Sequence, residues 1–140
     1  MPTNFRWAAL VPELACLDLP TSRAFYVDVL GFAECYQRDG FAYLGLGKAQ
    51  LMLEQAPGDW AIAPLERPYG RGINIQIEVD AIQPILGRLA AQSYALFMEP
   101  RECWYRTGEV EHGQREFIVQ DPDGYLLRFC QVLGERKALS

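Results

Sequence analysis

Twice in this chain an apolar, strand-like run ends in an aspartate and passes directly into a helix, at Leu17-Asp18 and again at Val79-Asp80. That repeated order constrains the fold more than any other feature. The second instance is the cleaner. Ile73, Ile75, Ile77 and Val79 alternate with Asn74, Gln76 and Glu78, the period of a strand with one buried face. After Asp80, residues 81–92 place Ile82, Ile85, Leu86 and Leu89 at helical spacing. In the first instance Trp7 to Leu17 carries Glu13 as its only charge and reads as one strand, with Trp7 in the core. Asp18 then offers a helix cap and Pro20 a tolerated first-turn residue. Ala24, Phe25, Val27, Val29 and Leu30 form the apolar face, and Gly31 supplies the stop.

Short strands follow each helix. In the first half they fall at Ala33–Gln37, Phe41–Leu46 and Gln50–Gln55, with turns at Asp39-Gly40 and Gly47-Lys48. In the second half they fall at Ala95–Met98, Arg101–Tyr105, Glu116–Val119 and Tyr125–Val132, the last pair joined by a tight Asp121-Pro122-Asp123-Gly124 turn. Between the halves, Pro57, Gly58, Pro64, Pro68, Gly70 and Gly72 break all periodicity. The expected organisation is a single α+β domain over 1–140: a βαβββ module at 5–55, a connector at 56–72 and a second module at 73–133. A four-stranded sheet with one helix leaves one face bare, and two such faces can enclose a small-molecule cleft.

Composition narrows the partners. A net charge of −5 disfavours nucleic acid, whose phosphates demand the opposite sign. An acidic surface suits cationic or neutral ligands. The single histidine, His112, is expected in a surface loop and rules out a histidine-rich metal site within one chain. Cys16, Cys35, Cys103 and Cys130 lack CxxC spacing and read as reduced thiols of a cytoplasmic protein. No basic leader with an apolar core is present, and no apolar run reaches spanning length, so no membrane partner is expected.

Alternation also nominates the residues of the bare faces. With Leu51 and Leu53 packed inward, Gln50, Met52 and Glu54 face the cleft, joined by Val11 and Glu13 from the first strand. Asn74, Gln76 and Glu78 face it from the second half, with Arg128 between the inward Leu127 and Phe129. Aromatic residues cluster at Tyr36, Phe41 and Tyr43, at Trp60 and Tyr69 in the connector, and at Trp104 and Tyr105, and of these Tyr36, Phe41, Trp60 and Trp104 are expected at the cleft. A tryptophan outside regular structure is suited to act as a lid or stacking platform.

The run Leu17-Asp18-Leu19-Pro20-Thr21-Ser22-Arg23-Ala24-Phe25-Tyr26-Val27-Asp28-Val29-Leu30-Gly31-Phe32 resembles the first-module signature of the vicinal oxygen chelate superfamily. Arg115-Glu116-Phe117 and Asp121-Pro122-Asp123-Gly124-Tyr125 are similar to the second-module pattern of its glyoxalase/bleomycin-resistance/dioxygenase group. The resemblance implies paired βαβββ modules, usually in a homodimer. Members that use a metal hold it from four strands, at positions that correspond here to Val11, Met52, Asn74 and Arg128. These side chains are an alkyl group, a thioether, a carboxamide and a cation, so no metal cofactor is expected. The resemblance then points to the metal-free bleomycin-resistance branch, which sequesters a cationic, aromatic antibiotic by stacking and acidic contacts. Tyr36 and Phe41 match aromatic positions of that branch, while Gly113 stands where it carries a tryptophan. The alternatives are a lyase or isomerase of the same superfamily using Glu13, Glu54 or Glu78 as a base, and a non-catalytic member whose ligand is a native metabolite.

Overall fold

The computed structural model describes residues 5–139. The chain resolves into two compact units, one running to Arg71 and including Asp121–Tyr125, the other formed by Gly72–Gln120 and the residues from Leu126 onward.

The first unit is β1 (Glu13–Cys16), α1 (Leu19–Ala24), a π-helical turn (Phe25–Val29), β2 (Ala33–Arg38), β3 (Phe41–Leu46) and β4 (Ala49–Gln55). Its sheet runs β1-β4-β3-β2, with β1 parallel to β4 and the other pairs antiparallel. The expected strand from Trp7 to Leu17 is thus short: only Glu13–Cys16 pairs, because β1 finds a ladder partner only along Met52–Gln55. Trp7 is 56% exposed, not core. Asp18 stands at the helix N-cap without bonding a helix N–H through its side chain, and its carboxylate takes the Thr21 hydroxyl instead. The Leu19 N–H is satisfied by the Gln55 side-chain oxygen at 2.9 Å. Gly31, at φ 92°, ends the helix as a left-handed C′ residue should. Leu19, Phe25, Tyr26 and Leu30 bury the helix face, and Leu14, Cys16, Leu44, Leu51 and Leu53 supply the buried face of the sheet.

The second unit repeats the plan: β5 (Asn74–Glu78), α2 (Gln83–Ala91), β6 (Met98–Thr107), β7 (Val110–Gln120) and β8 (Leu126–Lys137), in the order β5-β8-β7-β6. Again the outer strand, β5, is parallel to its neighbour β8. Ile77, Phe117, Val119, Leu127 and Phe129 are buried with Ile82, Ile85 and Leu89 of α2, and Phe117 stacks on Phe129 at 5.4 Å. Ile73 lies before β5 and is 61% exposed, contrary to its expected core position.

The hairpins are longer than alternation predicts. Ala95–Phe97 is not strand, and one strand, Met98–Thr107, replaces the two expected there, with a register irregularity between Met98 and Arg101. β7 begins at Val110, and β8 continues past Val132 to Lys137. His112 is consequently a strand residue, opposite Tyr105 and Glu135, with its Nδ1 3.4 Å from the Glu135 carboxylate. These polar outer segments pair through backbone ladders, which need no apolar alternation. Among the described residues no helix is long and apolar enough to cross a membrane.

The Asp121–Tyr125 turn is packed into the first unit. Asp121 Oδ1 accepts the N–H groups of Asp123, Gly124 and Tyr125 at 2.9–3.0 Å, and its Oδ2 accepts the Tyr26 hydroxyl at 2.7 Å. Asp123 accepts the Leu17 N–H and the Ser22 hydroxyl, both at 2.9 Å. Tyr125 donates its hydroxyl to the Ala15 carbonyl at 3.0 Å. The turn therefore anchors the end of β1 and the start of α1, and both of its aspartates are buried.

Candidate functional site

In the first unit, the sheet face opposite α1 is set by the register. Glu13 lies opposite Met52, Ala15 opposite Glu54, Tyr43 opposite Met52 and Tyr36 opposite Tyr43, so these side chains project to one side. Tyr36 stacks on Tyr43 at 5.4 Å and 16° and lies 5.7 Å from Phe41, whose ring carries the Arg38 guanidinium at 3.7 Å. Trp7 packs edge-on against Tyr43 at 5.0 Å. Phe41 is buried within this cluster, so Tyr36 is its more accessible ring.

At the other end of the face the connector folds back to close a cavity of about 260 Å³. Glu13 and Glu54 line it with Trp60, Leu65 and Tyr125. The sequence separates these residues widely; the parallel β1–β4 pairing and the connector bring them together. The Glu13 carboxyl is pushed above its ordinary value by burial, by a hydrogen bond shared with Glu54 and by the Glu54 charge. The Trp60 indole N–H and the Arg38 charge oppose that rise. The Glu54 charge beside Glu13 is unfavourable, and a cation placed between the two carboxyls would relieve that repulsion. Gly58 permits the approach: at φ +65°, a Cβ there would stand 2.8 Å from the Glu54 carboxylate.

In the second unit, Gln76 and Arg128 are ladder partners, and Arg128 Nη2 donates to Gln76 Oε1 at 2.8 Å. Asn74 and Glu78 alternate onto the same side of β5 as Gln76. Glu116 is the residue on this face that alternation did not nominate. It is wholly buried, accepting from the Tyr105 hydroxyl at 2.9 Å, from Gln114 Nε2 at 2.7 Å and from Cys103 Sγ at 3.5 Å. Arg101 stands at 3.4 Å and Arg128 at 3.9 Å. Burial would raise its pKa, but these donors and the Arg128 charge outweigh it, and the carboxyl is held below its ordinary value. Tyr105 responds in the opposite sense, pushed up to about 12 by burial and by its bond to Glu116. The signal for Glu116 was its alternation with the buried Phe117 and Val119, masked because β7 is much longer than the four apolar-rich residues suggest.

Trp104 corrects the expectation of a shared aromatic face. It alternates away from Cys103 and Tyr105 and lies across Gly113, where a Cβ would come within 2.5 Å of its ring. Arg136 covers it at 4.0 Å, and its indole donates to Glu102 at 3.2 Å. Trp104 thus has no place beside Gln76 and Arg128.

Two modules, each with an outer strand parallel to its neighbour and a helix over one face, define the vicinal oxygen chelate fold. The chain belongs to the Glyoxalase/Bleomycin resistance protein/Dioxygenase superfamily, whose family model matches residues 9–129. It is 26% identical over 136 residues to a bleomycin resistance protein of Geobacillus stearothermophilus, covering 88% of this chain and 96% of that one. A bleomycin resistance protein of Staphylococcus aureus gives the same figures, 26% over 136 residues with 88% and 96% coverage. Among solved structures, TioX from Micromonospora sp. ML1 shares the fold at a TM-score of 0.71 and 19% identity, over 91% of this chain and 100% of that one. A lactoylglutathione lyase from Agrobacterium tumefaciens does so at 0.58 and 19%, over 90% and 95%.

The superfamily includes metal-dependent enzymes, but the side chains at the corresponding positions do not fit a divalent ion. Met52 offers only a thioether, and Arg128 presents a cation already bonded to Gln76. Val11 precedes β1 and has no donor atom.

Proposed function

We propose that the protein binds and sequesters a cationic small molecule bearing planar rings, in the manner its similarity to bleomycin resistance proteins suggests. The observation that carries this reading is the cavity of about 260 Å³ in which Glu13 and Glu54 face Trp60. The carboxyl pair supplies charge for a protonated amine or guanidinium. Trp60, 72% exposed, and Tyr36 supply ring faces. The reading extends to a cytoplasmic homodimer, supported by the exposed apolar side chains Ile73, Phe97 and Val132.

Titration with a bleomycin-class glycopeptide, followed by tryptophan fluorescence and calorimetry, tests it. Trp60→Ala should speed dissociation, and Glu54→Gln should weaken binding mainly at low salt, where exposed charge is least screened. No binding by that class, with tight binding of an anionic metabolite dependent on Arg128, overturns the reading. Light scattering that shows only a 15.9 kDa species refutes the dimer.

A second reading rests on the raised pKa of Glu13. A carboxyl whose pKa is raised by its surroundings can act as a general acid or base in a lyase or isomerase. Turnover of a metabolite, abolished by Glu13→Gln and unaffected by chelators, would favour it.

A further inference from the structure

The first unit contains a second, larger cavity, of about 580 Å³, which shares no residue with the Glu13–Glu54 cavity. This volume lies within the range that holds drug-sized ligands. We propose that it is a separate binding site for a flat ring carrying an anionic group: an aromatic carboxylate, sulfonate or phosphate monoester.

Three features argue for that chemistry. The floor is nearly without side chains, because Ala33 pairs with Gly45 across β2 and β3. The wall is aromatic: Phe5 and Trp7 meet edge-on at 4.6 Å, and Trp7 keeps 56% of its surface exposed. The wall is also fixed in place by Gln50, whose Oε1 accepts the Ala8 N–H at 2.8 Å and the Tyr43 hydroxyl at 2.6 Å, while its Nε2 donates to the Arg6 carbonyl at 2.6 Å. The cavity is therefore preformed, which lowers the ordering cost of binding.

Its charge is the reverse of its neighbour's. Arg6 and Lys48 line it, and among the described residues no carboxylate does. Arg23, Arg71, Arg101, Arg115, Arg128 and Arg136 each have a glutamate partner. Among the described residues, Arg6 and Lys48 have no such partner. In a chain of net charge −5, two unmated cations beside one aromatic-walled cavity select an anion.

The probe is 8-anilinonaphthalene-1-sulfonate, read by its fluorescence, with uncharged N-phenyl-1-naphthylamine in parallel. Arg6→Gln and Lys48→Gln should each weaken the sulfonate about two- to fivefold, the worth of an exposed ion pair, with little effect on the uncharged probe. Added salt should act in the same direction. Lys137→Gln, which removes the same charge at the end of β8, should leave the affinity unchanged. Gly45→Leu should abolish binding by filling the floor: its Cβ would stand 3.4 Å from Cys35 Sγ, at an ordinary strand φ. Should that variant lose its circular dichroism spectrum, Ala33→Leu on the adjacent strand serves the same purpose. No sulfonate binding, an affinity indifferent to the double Arg6/Lys48 change, or equal losses for both probes each overturns the proposal. So does a dimer that binds no probe and dissociates on Gly45→Leu, which assigns the cavity to a second copy of the chain.

Discussion

Asp121 gives the structure its sharpest test by pH. Burial pushes its carboxyl from an ordinary 3.8 to about 6, against the pull of the Tyr26 hydroxyl and the backbone N–H groups that bond it. The unfolded chain releases this proton near 3.8, while the folded chain holds it until about 6. In that window the native state binds more protons than the unfolded state, so stability falls as pH rises. At about 1.4 kcal/mol per pH unit, the gap between 3.8 and about 6 amounts to about 3 kcal/mol, fully present below the lower value and lost above the upper. Asp121→Asn mimics the protonated acid. One oxygen still accepts the three N–H groups, and the amide can donate to the Tyr26 oxygen. Urea unfolding at intervals between pH 4 and 7.5, with mutant and wild type compared at each pH, cancels the titrations the two share. The mutant should gain most of that 3 kcal/mol on the wild type across the range. Tyr26→Phe should act in the opposite direction, because losing the hydroxyl donor raises the Asp121 pKa further and extends the decline to higher pH. Parallel pH profiles for wild type and Asp121→Asn would refute the reasoning.

Two further substitutions test the packing that positions the sites. Glu116→Ala should cost about 1–3 kcal/mol in urea unfolding, because the Tyr105 hydroxyl and Gln114 amide lose their acceptor. It should also lower the Tyr105 pKa, now about 12, in an ultraviolet titration. Gly70→Ala combines a left-handed φ of +71° with a Cβ 2.4 Å from the Tyr125 ring, and should destabilise by about 1–3 kcal/mol as read by the same unfolding assay.

What the sequence made legible depended on whether burial was one-sided. β3 and β4 sit over a helix on one face only, so Leu51 and Leu53 alternate cleanly with Met52 and Glu54, and the faces could be read directly. The same holds for Ile75 and Ile77 against Gln76. The outer part of the β6–β7–β8 sheet lacks that contrast. From Tyr105 to His112 and from Gly134 to Lys137 the strands are polar on both faces and held by backbone pairing, so no periodicity marks them. The face of Trp104 escapes single-strand alternation for a related reason. Its face depends on the register that sets it across Gly113, and register is a property of two strands rather than one.

The duplication itself is faithful in topology and unequal in chemistry. Both modules place a parallel pair at one side of the sheet, β1 with β4 and β5 with β8. The side chains on that pair differ. In the first module Glu13 and Glu54 meet beside a connector that contributes Trp60, placing a carboxyl pair within a cavity. In the second, Arg128 and Gln76 bond each other, and the buried carboxylate of Glu116 is saturated by its own neighbours. An incoming cation therefore gains more from the first pair, which exchanges a costly carboxyl contact for an attractive one, than from Glu116, where it would have to displace formed hydrogen bonds. The inequality reaches into chain connectivity as well. The turn between β7 and β8 has its aspartates bonded to Leu17, Ser22 and Tyr26 of the first module, and it delivers Tyr125 to the wall of the acidic cavity. A residue from the second repeat thus completes the pocket of the first, so the first repeat alone, ending at Arg71, would lack both the wall and the hydrogen bonds that hold the start of α1.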